Sequence, residues 1–326
     1  MKVLVTGGAG FIGSHLVESL VEDGHDVVVV DNLATGNIQN IVNVIDRITL
    51  VQDDIRSLEI GDHFSGVDTV FHLAALADIV PSIDRPRDYL DVNVLGTCNI
   101  LEFSRKNYVK TFVYAASSSC YGLPNEFPTS ENSKIDTQYP YALSKYLGEQ
   151  EVVHWSNVYG LNILSLRLFN VYGPRARTSG NYGAVFGVFL AQRNKNLPLT
   201  IVGDGEQTRD FTHVFDVVRA FKLAAKSELK NRIINIGSSN PISVNHIAKL
   251  IGGASIHIPK RPGEPDITHA DITLARELLG WNPLIGISEG VSELLENLSY
   301  WNDAPVWTPE NISKETASWF KYLKYH

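Results

Sequence analysis

The sequence of 326 residues is poor in cysteine, in basic charge and in long apolar runs. It has only Cys98 and Cys120, with neither a metal-ligand spacing nor a disulfide framework, which favours a reducing cytoplasm and predicts no metal site. Lysine and arginine number 28 against 36 aspartates and glutamates, a formal charge of −8 with no basic stripe. Nucleic acid is therefore not an expected partner. No apolar run reaches the roughly 18 residues that a membrane span needs, and glycines interrupt the N-terminus too early for a signal-peptide core.

Short runs rich in β-branched residues alternate with amphipathic segments over the first half of the chain. This alternation predicts an α/β fold with a parallel sheet covered by helices on both faces, a Rossmann-type doubly wound sheet. The strands are predicted at 2–6, 26–30, 48–52, 68–74, 111–116 and 162–168, and the helices at 11–23, 88–106 and 141–160.

The pattern breaks after Phe169 into segments that carry glycine and proline. A helix over 210–226 and a strand over 232–237 are expected to rejoin the first sheet. The rest, including a helix-like segment at 243–253, is expected to form a smaller mixed α/β C-terminal lobe that binds substrate. The predicted domains are 1–168, which 210–237 rejoins, and a substrate lobe of 169–209 and 238–326.

A glycine-rich turn, VTGGAGFIGSH, follows the first predicted strand and begins the first predicted helix. Gly7 permits a tight turn, Gly10 lets the backbone approach a pyrophosphate, and Gly13 allows close packing of helix and strand. Asp31, at the end of the second strand, can accept hydrogen bonds from a ribose 2′-hydroxyl and would repel a 2′-phosphate. A glycine turn alone is weakly specific, but this context predicts a dinucleotide site that favours NAD over NADP.

Tyr141 and Lys145 lie four residues apart in YPYALSKYL, so both project from one face of the predicted helix. An amine near a phenol favours the phenolate, and we expect Lys145 to depress the pKa of Tyr141 toward working pH. Such a tyrosine can exchange a proton while a nicotinamide exchanges a hydride. The spacing is weak support by itself, because amphipathic helices often carry this pair by chance.

These features occur in order with HLAA (72–75), NVLGT (93–97) and RLFNVYGPR (167–175). Together they resemble the extended short-chain dehydrogenase/reductase family, and within it the nucleotide-sugar 4-epimerases that act on UDP-glucose and UDP-N-acetylglucosamine. Asn93 would support the cofactor site, although a helix-packing amide is the alternative. The resemblance implies NAD contacts at Gly7, Gly10, Phe11, Ile12, Gly13, Asp31, Asn32, Asp54, Ile55, Leu73, Ala74, Ala75, Asn93, Tyr141 and Lys145.

Three serines, Ser117 to Ser119, follow the strand at 111–116. The resemblance places the catalytic serine four residues before Tyr121, at Ser117, with Tyr141 and Lys145 as the other catalytic residues. In the family's 4,6-dehydratases the next two positions carry Asp and Glu, and in its decarboxylases a Glu stands at the position of Ser119. Serine cannot act as such an acid or base near neutral pH, so elimination and decarboxylation both lack their extra residue. The remaining catalytic residues, Ser117, Tyr141 and Lys145, suffice for 4-epimerisation.

The resemblance also implies a substrate site in the C-terminal lobe. Asn170, Arg209 and Arg261 would hold a diphosphate, for which arginine offers several fixed donors, although a surface salt bridge is the alternative for either arginine. Glu264 would meet the nucleotide ribose, while Ser117 and Tyr141 would meet the sugar. Thr268, three residues before Asp271, would be a gatekeeper small enough to admit an N-acetyl group. Its alternative is a strand threonine bonded to a neighbour.

The implied activity is NAD-dependent epimerisation at C4 of a UDP-hexose, through a transient 4-keto sugar, for surface polysaccharide synthesis. The substrate pair would be UDP-GlcNAc and UDP-GalNAc, or UDP-glucose and UDP-galactose. The implied protein is a cytoplasmic homodimer formed through the helices 88–106 and 141–160, with tightly bound NAD. A 4,6-dehydratase or a 4-ketosugar reductase of the same family, and a non-catalytic NAD-binding sensor, are the alternatives. His213 and Phe215 depart from the family pattern, and the sequence offers no functional account of them.

Overall fold

The computed structural model describes residues 1–176 and 183–323, and its largest element is a seven-stranded sheet. The predicted lobe includes 177–182 and 324–326, which lie outside the described residues. The strands are, in chain order, β1 (Lys2–Thr6), β2 (Asp26–Val30), β3 (Ile48–Val51), β4 (Thr69–His72), β5 (Thr111–Ser117), β6 (Ile163–Leu168), β7 (Val171–Tyr172), β8 (Leu199–Val202), β9 (Thr208–Arg209), β10 (Thr212–His213), β11 (Arg232–Ile236), β12 (Ile242–Ser243) and β13 (Ser255–Ile258).

The helices lie between these strands and after the last of them. They are α1 (Phe11–Glu22), α2 (Ile79–Asp84), α3 (Pro86–Leu90), α4 (Thr97–Lys106), α5 (Pro140–Tyr159), α6 (Val185–Asn194), α7 (Val214–Lys226), α8 (Val244–Ile251), α9 (Thr273–Leu279), α10 (Ile287–Glu296), α11 (Pro309–Glu315) and α12 (Ala317–Tyr322). Short 3-10 helices occupy Ile38–Arg47, Glu59–Phe64, Ser118–Tyr121 and Leu298–Trp301, and a π-helix occupies Asp91–Gly96. None of the helices in 1–176 and 183–323 is both long and apolar enough to cross a membrane.

The large sheet has the strand order β11-β6-β5-β4-β1-β2-β3, and all neighbouring pairs are parallel. This confirms the predicted doubly wound parallel sheet. The chain runs outward from β1 through β3, then returns to the other side of β1 with β4. A crevice opens where the strand order reverses, beyond the carboxyl ends of β1 and β4, and open α/β sheets bind ligands at that point.

Burial on both faces explains the apolar runs of the strands. Val27 to Val30 of β2 are buried, and so are all six residues of β6, including Ser165 and Arg167. On one face the strands pack against α1 and α7 through residues such as Leu16 and Phe221. On the other they pack against α4 and α5 through Ile100 and Val152. A strand covered on both sides gains apolar contacts at every position, so alternation with polar residues is lost.

Among the differences from the predicted boundaries, two concern the segments 68–74 and 88–106. The predicted strand 68–74 ends at His72, and the following residues leave the sheet to line the crevice. The predicted helix 88–106 contains the π-helical turn Asp91–Gly96 between α3 and α4. Such turns insert an extra residue and often mark functional sites.

The predicted helix over 210–226 begins only at Val214, so its first four residues were assigned wrongly. Thr212 and His213 instead form β10, which pairs with β7, and His213 then caps α7 by accepting a bond from the backbone N–H of Phe215. The carboxylate of Asp210 is fully buried and accepts bonds from the Ser238 and Ala270 backbones. Pairing with distant segments therefore overrides the local helical pattern.

A second apolar core lies outside the large sheet, among α6, α8, α10 and the short sheet formed by β8 and β13. It includes Phe189, Leu199, Ile247, Leu294 and Trp301, all nearly fully buried. Strand β11 pairs with β6 at the edge of the large sheet, so the strand predicted at 232–237 rejoins that sheet as expected. The exact division of the chain into two domains stays a prediction.

Candidate active site

A cavity of about 930 Å³ lies at the carboxyl ends of the central strands and extends to the loops of the second core. Its lining brings together almost every residue predicted from the sequence. These are Gly7, Gly10, Phe11, Ile12, Gly13, Asp31, Asn32, Asp54, Ile55, Leu73, Ala74, Ala75, Ser117, Tyr141, Lys145, Asn170, Arg209, Arg261, Glu264 and Thr268.

Asn93 is the exception, because it lies behind the cavity wall and is 1% exposed. Its side-chain oxygen accepts the Leu76 N–H at 2.8 Å, and its amide donates to the Leu76 carbonyl at 2.9 Å and to Ser144 Oγ at 2.9 Å. These bonds account for the Asn93 side chain without a cofactor, and a direct contact of Asn93 with the cofactor stays a prediction. The residue fixes the loop after β4 and the first turns of α5, which is the packing alternative.

The glycine turn presents only backbone to the cavity. Gly7 has φ +71°, and a Cβ there would lie 2.8 Å from the Ala74 nitrogen. A Cβ on Gly13 would overlap the Gly7 carbonyl oxygen, which confirms why helix α1 can pack so closely on β1. Gly10 precedes the first turn of α1, whose free N–H groups attract anions. The turn therefore fits a dinucleotide pyrophosphate.

Asp31 ends the second strand with its carboxylate held in place by the backbone. Its two oxygens accept bonds from the N–H groups of Ala9, at 2.9 Å, and Leu33, at 2.8 Å. Burial raises the pKa of Asp31, while these two bonds lower it. Each carboxylate oxygen can accept a further bond, and Asp31 lines the cavity, as an NAD ribose site requires.

A second carboxylate, Asp54, lies beside Asp31 and is neutralised by a residue that sequence reasoning missed. Arg56 donates two bonds of 2.8 Å to it, and Asn32 donates a third at 2.8 Å. The bonds from Arg56 hold the pKa of Asp54 at about 2. Because Arg56 is already paired with Asp54, its charge is largely neutralised and offers little attraction to a 2′-phosphate.

Replacing Asp31 with asparagine is expected to weaken the preference for NAD over NADP about tenfold, because the repulsion of a 2′-phosphate is lost. Asparagine is chosen over alanine because its oxygen can still accept one of the two backbone N–H groups. The dissociation constants of both dinucleotides, measured by calorimetry on wild type and variant, give the ratio directly. A wild type that binds NADP as tightly as NAD would contradict the assignment of Asp31.

Ser117 and Tyr141 meet inside the cavity. Ser117 is the last residue of β5, and the Tyr141 hydroxyl donates to its Oγ at 3.3 Å. Ser119 is a further neighbour, with its Oγ 2.8 Å from that of Ser117. Ser118 and Ser119 also line the cavity, so the positions that carry acids in the dehydratases bear hydroxyls here. The arrangement can exchange a proton with a bound hydroxyl group but offers no second acid at these positions.

Lys145 lies one turn after Tyr141 on α5 and is 5% exposed. Its ammonium lies 4.2 Å from the centre of the Tyr114 ring, a cation–π contact. Burial lowers the pKa of Lys145 to about 7, which Glu149 partly opposes. Burial also raises the pKa of Tyr141, and the hydrogen bond to Ser117 is what lowers it. The predicted depression of the Tyr141 pKa by Lys145 is therefore wrong in direction for this structure.

The predicted substrate residues form two connected groups at the other end of the cavity. Thr268 donates to the Asn170 side-chain oxygen at 2.9 Å and accepts the Asp210 N–H at 2.9 Å. Thr268 thus lines the cavity and is bonded to its neighbours, and its role as a gatekeeper stays a prediction. Glu264 lies between Arg209, at 3.7 Å, and Arg261, at 3.5 Å. The two arginines converge as a diphosphate would require.

Tyr139 and Trp319 are two of the aromatic residues of the cavity that were missed at the sequence level. The Tyr139 ring stacks beside Tyr141, with centroids 6.4 Å apart and planes at 6°. Trp319, on the far C-terminal helix α12, lies 6.0 Å from Tyr139. Tyr139 was visible as the first aromatic residue of YPY, but nothing in the local sequence around Trp319 signals a contact with α5.

Comparison with known proteins agrees with this geometry. Residues 3–237 match the model of the "NAD dependent epimerase/dehydratase family". A Methanocaldococcus jannaschii protein, provisionally named as a UDP-glucose 4-epimerase, is 41% identical over 302 residues, covering 90% of this chain and 97% of that protein.

Two solved structures extend the likeness to the fold. The UDP-glucose 4-epimerase of Thermotoga maritima, solved with UDP-glucose, has a TM-score of 0.87 and 34% identity, covering 92% of this chain and 99% of that one. The UDP-N-acetylglucosamine 4-epimerase of Methanobrevibacter ruminantium M1, in complex with UDP-N-acetylmuramic acid, has a TM-score of 0.85 and 29% identity, covering 91% and 98%. On the glycine turn, the Ser117–Tyr141 pair and these matches, the chain belongs to the NAD-dependent epimerase/dehydratase family.

Proposed function

We propose that this protein is a UDP-hexose 4-epimerase that retains its NAD through turnover. The observation that carries the proposal is the 3.3 Å contact between Ser117 and Tyr141 in the cavity that the glycine turn also lines. The names of its relatives support a UDP-sugar substrate. NAD, when bound, supplies a hydride acceptor and donor.

The side chains of this chain supply the proton transfer and the hold on the substrate. Tyr141, once ionised to the phenolate, takes the proton of the 4-hydroxyl and later returns it, while Ser117 bonds to the same oxygen and fixes its position. Arg209 and Arg261 hold the diphosphate, which leaves the hexose free to turn and present its other face. Lys145 provides positive charge one turn away on α5.

Ser118 and Ser119 favour epimerisation over the two reactions that need an added acid or base. Elimination of water from the sugar requires a proton donor and an acceptor near its ring, and decarboxylation requires a carboxylate in the family pattern. A serine hydroxyl supplies neither near neutral pH. A 4-ketosugar reductase differs in another way, since it would release its oxidised cofactor in each turnover.

The activity is tested by incubating the purified protein with UDP-glucose, UDP-GlcNAc and UDP-glucuronic acid and following the configuration at C4 by NMR. We expect inversion at C4 without added NAD. We also expect the purified protein to release NAD in stoichiometric amount when it is denatured. Net consumption of NADH with a 4-keto sugar would instead identify a reductase. Loss of water from the sugar would identify a dehydratase, and inactivity with bound NAD would favour a sensor.

The substrate we favour carries an N-acetyl group at C2, because Thr268 is small and lines the cavity. Thr268→Tyr is expected to lower kcat/KM for UDP-GlcNAc about 10–100-fold more than for UDP-glucose, since added bulk would meet the C2 substituent. The measurement is the specificity ratio of the two sugars in one assay.

Thr268→Val is the matched control for this prediction. Valine removes the hydroxyl bonds to Asn170 and Asp210 without adding volume, so it reports on the lost bonds alone. It is expected to affect both sugars equally. A parallel fall for both sugars in Thr268→Tyr, or a wild type that refuses UDP-GlcNAc, would contradict the gatekeeper role.

A homodimer through helices α4 and α5 is part of the same proposal. These two helices and the π-helical turn before α4 expose large apolar side chains, with Leu95 58%, Leu143 40%, Val158 53% and Tyr159 50% exposed. Such a patch on two neighbouring helices is typical of an interface. Cytoplasmic location and a role in surface polysaccharide synthesis stay predictions.

A further inference from the structure

The C-terminal helix α12 brings Trp319 to the wall of the cavity, 178 positions along the chain from Tyr141. The side chain is 1% exposed, so it acts through its neighbours. Its indole N–H donates to the Pro262 carbonyl at 2.6 Å, and the Arg261 guanidinium lies 5.5 Å from its ring centre. Trp319 therefore holds both the backbone and the cation of one short loop.

Other contacts hold that loop near its end, where the Thr208 N–H donates to the Asp266 carbonyl at 2.9 Å and Arg209 lies 3.7 Å from Glu264. The loop connects β13 to α9 without regular secondary structure over 259–266, and it carries two of the predicted substrate residues, Arg261 and Glu264. The Arg261 guanidinium lies 3.5 Å from Glu264 and 5.5 Å from the centre of the Trp319 ring. A guanidinium on an irregular loop would lose much rotamer freedom on binding a diphosphate unless a neighbour already restricts it.

Helix α12 is also anchored to the dinucleotide half of the cavity. Trp319 and Leu323 pack with Val80 of α2, and Ile79 and Ile83 join the same cluster. Ile79 and Val80 also line the cavity. Helix α12 thus ties the loop of Arg261 to a helix that follows β4.

We propose that Trp319 is a positioning residue for the diphosphate of the substrate, acting through Arg261. The inference rests on the proposed function in that the ligand is a nucleoside diphosphate. The ring keeps the guanidinium plane fixed by a cation–π contact, and the N–H keeps the loop carbonyl in place. The diphosphate then meets an arginine whose orientation is set before binding, which lowers the entropy lost on binding.

The test measures the affinity of the NAD-loaded protein for UDP by calorimetry. Trp319→Phe keeps a ring but removes the N–H, and it is expected to weaken UDP binding about fivefold. Trp319→Leu removes both contacts and is expected to weaken it by about tenfold or more. KM for the UDP-sugar should rise in parallel, with kcat changed less than about twofold, because Trp319 touches no reacting atom.

Trp281→Phe is the matched control. Trp281 is also fully buried and donates its indole N–H to a backbone carbonyl, that of Asp216, at 2.9 Å, but it is not among the residues of the cavity. It should lower stability without changing UDP affinity. Equal weakening of UDP binding by Trp281→Phe would overturn the proposal, since any lost buried bond would then suffice.

The double variant Arg261→Ala with Trp319→Phe tests the route of the effect. If Trp319 acts through Arg261, the double variant should bind UDP no more weakly than Arg261→Ala alone. Additive losses would overturn that route. Unchanged UDP affinity in Trp319→Leu would overturn the positioning role alone. Tight UDP binding by a wild type that inverts no sugar would overturn the proposed function alone, since the UDP measurements need no turnover.

Discussion

Tyr141→Phe is expected to abolish C4 epimerisation, lowering kcat by about 10³-fold or more, while NAD stays bound. The variant loses only the hydroxyl that donates to Ser117 at 3.3 Å, and with it the group that exchanges the substrate proton. The ring keeps its packing between Tyr139 and Tyr89, whose centroids each lie 6.4 Å away. The measurement is single-turnover and steady-state epimerisation, with NAD content and the midpoint of thermal unfolding as checks on folding.

The serines around Tyr141 provide the matched comparison. Ser117→Ala is expected to lower kcat about 10²-fold, because it loses a hydrogen bond to the substrate but keeps the proton acceptor. Ser119→Ala should cost much less, since its Oγ contacts that of Ser117 at 2.8 Å and reaches the reaction only through it. An equal loss in both variants would mean that the catalytic serine was chosen wrongly. Tyr141→Phe with near wild-type turnover would contradict the whole mechanism.

The sheet and the glycine turn could be predicted because their sequence signals are local. Strands β1 and β2 were placed at their observed bounds, since burial on both faces leaves the apolar runs Val3–Val5 and Val27–Val30 as a signal in the sequence. Gly7 and Gly13 were predicted from the turn, and both positions have no room for a Cβ. The spacing of Tyr141 and Lys145 is also a local signal, and it placed both residues on one helix.

The features that escaped prediction depend on contacts between distant parts of the chain. The start of α7 was misplaced because Thr212 pairs with β7, which the local pattern does not encode. Trp319 reaches the cavity only because α12 packs on α2. The pKa of Tyr141 was predicted in the wrong direction because it depends on burial and on where the Lys145 ammonium points, and spacing along a helix reports neither.

A buried ion pair lies beneath the catalytic helix, and its disruption is the second large effect that we expect. Glu149, one turn after Lys145 on α5, is bonded by Arg167 of β6, with the shortest contact 2.6 Å. The two side chains are only 2% and 4% exposed. Ser165 donates to Glu149 at 2.9 Å, and Arg167 also donates to the Tyr121 hydroxyl at 2.8 Å. The pair thus joins α5 to the sheet behind the active site.

Glu149→Gln is expected to lower the free energy of unfolding by about 3–5 kcal/mol, because a buried guanidinium would lose its counter-charge. Urea unfolding of the NAD-free protein measures this loss. The control is Glu102→Gln on α4, whose partner Arg105 approaches it equally closely, at 2.6 Å, but on the surface. That pair is screened by water, so its removal is expected to leave the unfolding midpoint nearly unchanged.

The double replacement of Glu149 by leucine and Arg167 by methionine separates the unpaired charge from the loss of the contact. Apolar side chains of similar size often replace a buried pair at little cost, because neither charge then has to be desolvated. Tyr121 keeps a partner in this variant, since its hydroxyl donates to Asn235 at 2.7 Å. The double variant should therefore be markedly more stable than Glu149→Gln. If both unfold at the same urea concentration, the unpaired charge is not the cause, and the lost contacts between α5 and β6 explain the effect instead.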